Sequence, residues 1–367
     1  MKTKRFEEID FARALPLLFL PVVHVYEEAD IFALLNPQTL SGGRIFLYLC
    51  AFGPSVFMMI LGMNIAFSSH TSPRELVRRG AITALIFYVH NILRYLLPSV
   101  LYYAVYGENE IPFALQSTVG SDILIFAALA FFFFALMKKY RVSPFAIIMI
   151  ALGMLLVHEL ISPQTDWEST MLSAFIGCFV HVTEFSCFPA LSWMIYPAVG
   201  YALGLAMKEL PDEAARRSFY NKMGLVSLLG GAALAVCIRS YGLDLLKIAA
   251  NPANDYITDF FNIALDMAVG GVWMWAAYYI YGAIRRREGL RRAVNAVSRS
   301  IMIFYLAQWI LVVWGMALAF GSYLDSNALG FTPVLICSVV VTALSLLIAI
   351  PVQNRLDRKK AAGRAAV

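Results

Sequence analysis

Ile123-Leu124-Ile125-Phe126-Ala127-Ala128-Leu129-Ala130-Phe131-Phe132-Phe133-Phe134-Ala135-Leu136-Met137 is an unbroken apolar run that ends on Lys138, Lys139 and Arg141. A second long run extends from Val334 to Pro351. The chain of 367 residues is 60% hydrophobic and 14% charged, with a mean hydropathy of +0.70. A soluble domain carries roughly 25% charged residues, so this excess of apolar side chain must face something other than water. A lipid bilayer accepts it, and a chain in lipid must pair its own backbone polar groups. No ten-residue alternation of the barrel kind is present. The fold class is therefore all-α, a polytopic helical bundle in the membrane.

A span needs about 20 apolar residues, which places ten helices at roughly 10–32, 43–67, 80–106, 119–137, 143–162, 188–207, 223–241, 258–284, 300–320 and 332–353. The spacers set the orientation. Lys2, Lys4 and Arg5; Arg74, Arg78 and Arg79; Lys138, Lys139 and Arg141; and Lys208, Arg216, Arg217 and Lys222 fall on alternate segments. Arg285, Arg286, Arg287, Arg291, Arg292 and Arg299, then Arg355, Arg358, Lys359, Lys360 and Arg364, continue the rhythm. Together these are 24 of the 29 Lys and Arg, and basic loops face the cytoplasm. Both termini are expected there, in a multi-pass protein of the plasma or inner cell membrane. The net charge of +5 is thus a topology signal, and nucleic acid is excluded as a partner.

Met171 to Val182 is apolar but too short to span. With His181 and Glu184 it reads as an outer re-entrant or interfacial helix. Without an internal repeat or soluble insert, residues 1–367 read as one domain. The first apolar segment lacks a small-residue cleavage site and reads as a retained span, not a signal peptide. Cys50, Cys178, Cys187, Cys237 and Cys337 have no metal-ligand spacing, so no metal is expected. Cys178 and Cys187 could pair on an outer loop; buried thiols are the preferred reading.

Five basic residues fall outside the cytoplasmic set: Arg13, Arg44, Arg94, Arg239 and Lys247. Arg44, Arg239 and Lys247 sit near outer helix ends and can snorkel. Arg94 lies mid-span, where a charge costs about 3 kcal/mol or more and needs a polar interior; His90 is one turn before it. The first span reads Ile9-Asp10-Phe11-Ala12-Arg13-Ala14-Leu15, then Pro16, Pro21 and His24. Arg13 and His24 are about 16 Å apart along a helix and within about 20° in azimuth. Glu28, a turn further, completes the stripe. Cation, imidazole and carboxylate on one face suit the wall of a passage with a base inside it, the carboxylate holding the tautomer. A His bonded to a neighbouring helix is the plainer alternative. Asp266 is a buried carboxylate without an evident partner.

These residues resemble the transmembrane acyltransferase superfamily, which comprises the acyltransferase family 3 enzymes and bacterial relatives of heparan-α-glucosaminide N-acetyltransferase. Ile9 to Leu15 is similar to the family's I-D-x-x-R-G-x opening, with Ala14 in place of Gly. Arg13 and His24 reproduce its R-x10-H spacing. Phe188-Pro189-Ala190-Leu191-Ser192-Trp193 and Gly200-Tyr201-Ala202-Leu203-Gly204 resemble its F-P-x-x-x-W…G-y-x-x-G segment. Phe57 to Gly62 and Gly120-Ser121-Asp122-Ile123-Leu124 are weaker echoes. Ser300 to Gln308 is similar to S-x-x-I-Y-x-x-H, with Gln308 replacing the final His.

The resemblance implies transfer of an acyl group, most often acetyl, from cytoplasmic acyl-CoA (acetyl-CoA) to a hydroxyl or amine of an extracytoplasmic glycan or glycolipid acceptor. His24 becomes the catalytic base or acyl carrier, and Arg13 a donor contact. Arg94 is the expected donor to the thioester oxyanion, and Glu28 orients His24. Arg74, Arg78 and Arg79 suit the phosphates of the coenzyme A thioester, with His90 on the donor path. A transporter or flippase lined by Arg13, His24, Arg94 and Asp266 is the competing reading. A catalytically dead scaffold, hinted at by Gln308, is the third.

Overall fold

The computed structural model describes residues 6–28, 52–107, 109–161, 170–180, 187–240, 260–320 and 331–365. Arg44, Lys247, Cys50, His181 and Glu184, singled out in the sequence, lie outside them, and so does the side chain of Arg239. The described elements are helices throughout. In chain order they are α1 Glu7–Glu28, α2 Gly53–Phe67, α3 Pro73–Asn91, a π turn Ile92–Leu96, α4 Leu97–Tyr106, α5 Ile111–Val119, α6 Ile123–Lys139 and α7 Pro144–Ile161. There follow α8 Met171–Ile176, α9 Ala190–Trp193, α10 Ile195–Lys208, α11 Glu213–Ser240, α12 Phe260–Ile284, α13 Glu288–Arg299, α14 Ile301–Phe320 and α15 Phe331–Ala365.

The chain is an all-α multi-pass membrane bundle. Among the described residues seven helical stretches are long and apolar enough to cross a bilayer, and an eighth is if α13 and α14, bent by 70°, count as one broken span. Each of the ten segments expected to span contains a described helix. Two of those helices, α2 with 15 residues and α6 with 17, are shorter than a full crossing. Within the stretch 285–299, read from the sequence as a basic spacer, residues 288–299 form α13, whose Glu288 pairs with Arg291 and Arg292 one turn on.

Pro54–Val272 form one compact unit; Phe6–Gly53 and Trp273–Val367 form another. In the first, local chemistry sets the helix ends. Ser72 and Glu75 make a reciprocal capping box with Pro73 at the first helical position, so α3 starts at 73, seven residues before the expected span. Asp122 caps α6 by accepting from Leu124 N at 3.1 Å. Ser121 Oγ accepts from Phe188 N at 3.0 Å, which ties the Phe188-Pro189 segment to the start of α6. The ring of Trp193 then packs edge-on to Phe188, with centroids 4.7 Å apart.

The glycines at 62, 200 and 204 have one purpose. A Cβ on Gly200 would fall 2.6 Å from the Met59 carbonyl carbon, and one on Gly62 would fall 2.7 Å from Tyr201 N. At Gly204 it would meet Ala66 Cβ at 2.8 Å. So α2 and α10 touch backbone to backbone, the way helices associate when no hydrophobic force separates lipid from protein. Lys208 Nζ closes the end of this contact by donating to Ala66 O at 3.0 Å. Gly200→Ala is expected to cost about 3 kcal/mol by overpacking and to lower the melting temperature in detergent. Gly153→Ala, where nothing lies within 4 Å, should leave it unchanged.

Candidate active site

In the second unit α1 is buried on most of its faces: Phe11, Ala12, Leu17, Val22, Val25 and Tyr26 are all inside. Its prolines create the first requirement. Pro16 has no N–H, so the carbonyl of Ala12 loses its usual helical donor. The indole of Trp273, on α12, donates to that oxygen at 2.8 Å. The helix therefore continues from Glu7 to Glu28 with both prolines inside it.

Asp10, Arg13 and His24 all lie on the side that meets α13 and α14. Arg13 Nη2 donates to Asp10 Oδ1 at 2.7 Å, and Arg13 Nε donates to Ser298 Oγ at 2.8 Å. Ser298 Oγ in turn donates to Asp10 Oδ1 at 2.8 Å, which closes a three-membered ring. The Arg13 side chain keeps 25% of its surface exposed and Asp10 12%, so the pair is shielded without being sealed. Closing the ring satisfies the carboxylate and fixes the guanidinium plane. Arg13 thus joins α1 to α13.

His24 is 6% exposed. Its Nδ1 lies 2.9 Å from Oε1 of Gln308 on α14. An amide oxygen only accepts, so Nδ1 is the donor, and in the neutral imidazole that leaves the lone pair on Nε2, the tautomer of a general base. The imidazole stacks on Trp309 with centroids 3.7 Å apart and planes at 19°, and Tyr305 meets its edge at 6.5 Å. Positions 305, 308 and 309 share one face of α14. Arg13 meets Ser298 near the end of α13 and His24 meets Gln308 on α14, so α1 and the α13–α14 stretch advance in the same direction. The carboxylate expected to hold the tautomer, Glu28, is exposed at the last turn of α1, and the bond to Nδ1 comes from Gln308.

His90, Arg94, Arg74, Arg78 and Arg79 belong to the first unit. A π turn follows α3, and His90, Asn91 and Arg94, spaced as one helix face, are buried while Ile92 and Leu93 face outward. Asn91 Nδ2 donates to Ser117 O at 3.3 Å. Arg94 Nη1 lies 3.6 Å from Asp122 Oδ2, and its guanidinium stacks 4.3 Å from the Tyr95 ring centroid. Asp122 is therefore both the cap of α6 and the counter-charge of Arg94. Asp266 also finds a partner, accepting from the Tyr196 hydroxyl at 3.0 Å.

Arg74 and Arg78 are exposed and Arg79 half-buried on the opening turns of α3. Lys138 adds to this basic surface by donating to Thr71 Oγ1 at 2.9 Å, just before α3. Cys178 is buried, Cys187 and Cys337 are half-buried and Cys237 is exposed. Among the described residues no group of three or more His, Cys, Asp or Glu could hold a metal ion.

Ser298, Trp309 and Trp273 are site residues that the sequence did not bring forward, and Gln308 and Asp122, quoted there for the family resemblance, had no assigned partner. One signal was present: Gln308 is the single amide in the apolar run of α14, and an amide at that depth needs a partner. Two substitutions test these assignments by thermal melting in detergent. Trp273→Phe strips the donor from Ala12 O and should cost about 1–3 kcal/mol. Asp122→Ala removes both cap and counter-charge and should cost about 3–5 kcal/mol.

No curated protein sequence matches the chain. A family model described as an acyltransferase domain matches residues 6–350, nearly the whole length and including every residue of the Arg13–His24 and Arg94–Asp122 clusters. The chain is a membrane acyltransferase and belongs to acyltransferase family 3.

Proposed function

We propose that the protein moves an acyl group, acetyl foremost, from cytoplasmic acyl-CoA to a hydroxyl or amine of an extracytoplasmic glycan or glycolipid at the cell membrane. The observation that carries this reading is the buried imidazole of His24, held through Nδ1 so that Nε2 is the basic nitrogen. A base that keeps one tautomer inside a bundle is suited to take a proton from an acceptor that water would otherwise solvate. Membership of an acyltransferase family favours catalysis over transport.

In this scheme the donor enters from the basic side of the bundle. Its phosphates meet Arg74, Arg78 and Arg79, with Lys138 and Lys208 beside them. The inward orientation of both termini, supported by the alternation of basic loops, makes this side cytoplasmic. Arg13, fixed by Asp10 and Ser298, is the positioning residue that keeps α13 against α1 at the donor end. The acceptor oxygen or nitrogen attacks the thioester carbon while His24 Nε2 takes its proton. Collapse then breaks the C–S bond, and the sulfur of coenzyme A leaves with that proton. Attack by His24 itself, giving an acyl-histidine, is the two-step version of the same chemistry.

The test is thiol release from acetyl-CoA by the detergent-purified protein. His24→Ala is expected to lower the rate by about 10³-fold. An unchanged rate in that variant, or substrate flux through proteoliposomes without coenzyme A, would overturn the assignment.

A further inference from the structure

We propose that the corner between α12 and α13 is a docking surface for the anionic phospholipid headgroups of the cytoplasmic leaflet, with Arg285, Arg286, Arg287 and Arg292 as its cations. It stands apart from the acyl-transfer reading, because it concerns where the bundle meets the bilayer surface.

The sequence of α13 separates its residues into two faces. At 100° per residue, Glu288, Arg291, Arg292, Asn295, Ser298 and Arg299 fall within an arc of about 120°. Leu290, Ala293, Val294 and Val297 fall within an arc of about 100° on the other side. The polar arc is held by the rest of its unit. Arg291 lies 3.8 Å from Glu7 of α1, Ser298 bonds Arg13 and Asp10, and Arg299 lies 3.5 Å from Asp357 of α15. On the apolar arc Leu290 and Ala293 are exposed. With α14 crossing the bilayer, the 70° bend lays α13 nearer the membrane plane than the membrane normal. An in-plane helix with an open apolar arc, joined to a span, sits at the boundary between headgroups and acyl chains.

That depth is where the phosphates are. Arg285, Arg286 and Arg287 are consecutive and exposed, and the extended backbone of Arg287 (φ −104°, ψ 102°) separates α13 from α12. None of these three makes an ion pair with a described residue, whereas Arg291 and Arg299 each have a carboxylate. Arg292 shares Glu288 with Arg291 and keeps 77% of its side chain exposed. Residues 285–299 hold six arginines and one carboxylate, a net charge of +5. The contact of Arg299 with Asp357 brings the exposed Arg355, Arg358, Lys359 and Lys360 of α15 to the same face. A layer of lipid phosphates meets several guanidinium groups at once, at about fivefold in affinity per arginine. The topology bias would be served by arginines anywhere in this spacer. What specifies a headgroup is guanidinium groups without a carboxylate beside an open apolar arc. Because α13 also carries Ser298, a headgroup held here steadies the helix that braces Arg13.

Hydrogen–deuterium exchange of the full-length protein in nanodiscs reads this surface locally. Amides of residues 285–299 should exchange about tenfold more slowly in discs containing phosphatidylglycerol than in discs of phosphatidylcholine alone. Salt at about 0.5 M should remove most of the difference. Arg286→Gln with Arg287→Gln should lose the slowing, and Arg286→Lys with Arg287→Lys should keep it within about threefold, since the charge is retained. Arg217→Gln with Lys222→Gln removes the same charge from exposed positions on α11 and should leave the slowing intact.

Equal exchange in the two kinds of disc would overturn the proposal. So would an equal loss in the α11 variant, which would reduce the effect to net charge. Slowing of residues 285–299 by acetyl-CoA in phosphatidylcholine discs, with none from phosphatidylglycerol, would give these arginines to the donor and overturn it as well.

Discussion

Inside a bilayer no water completes a hydrogen bond, so every polar group carried to depth must be met by another part of the chain. That constraint organises the two compact units. In one, the carbonyl freed by Pro16 is met by Trp273, the charge of Arg13 by Asp10 and Ser298, and the imidazole of His24 by Gln308. In the other, Arg94 is met by Asp122 and Asp266 by Tyr196. None of these pairs is a fully exposed ion pair of the kind worth a few tenths of a kcal/mol. The His24–Gln308 and Arg94–Asp122 contacts are the most enclosed, and losing one member there leaves the other with little solvent to turn to.

The periodic part of this arrangement was readable in the sequence. Helical geometry alone puts Arg13 and His24 on one face, because eleven residues bring the azimuth back to within about 20°. The apolar runs identified the helices. The responders were not readable, since Ser298 and Gln308 are 285 and 284 residues from the side chains they meet and no local pattern links them. α13 was hidden for a different reason. Its six flanking and internal arginines look like a solvated loop, yet Glu288 pairs with two of them along one helix face. The π turn at Ile92–Leu96 likewise leaves no composition signal.

Glu28 and Gln308 show how a departure from a family pattern can be informative. A carboxylate one turn beyond His24 satisfies the spacing, but α1 ends there and its side chain is exposed. The glutamine that stands where the family pattern has histidine is instead fully buried and bonded to the imidazole. An uncharged partner suits the location. A carboxylate in the same place would carry a full charge into a site whose neighbours are Trp309 and Tyr305, whereas an amide fixes the tautomer without that desolvation cost. It also brings a donor, which a carboxylate lacks.

The central claim is that the reacting carbonyl lies at Nε2 of His24, whose Nδ1 is held by Gln308, and an experimental density map with a non-hydrolysable acetyl-CoA analogue tests it most directly. The account predicts the analogue's carbonyl carbon about 3.5 Å from His24 Nε2. An analogue bound with its carbonyl remote from His24, or an imidazole whose Nε2 is closed off by packed side chains in the complex, would contradict it.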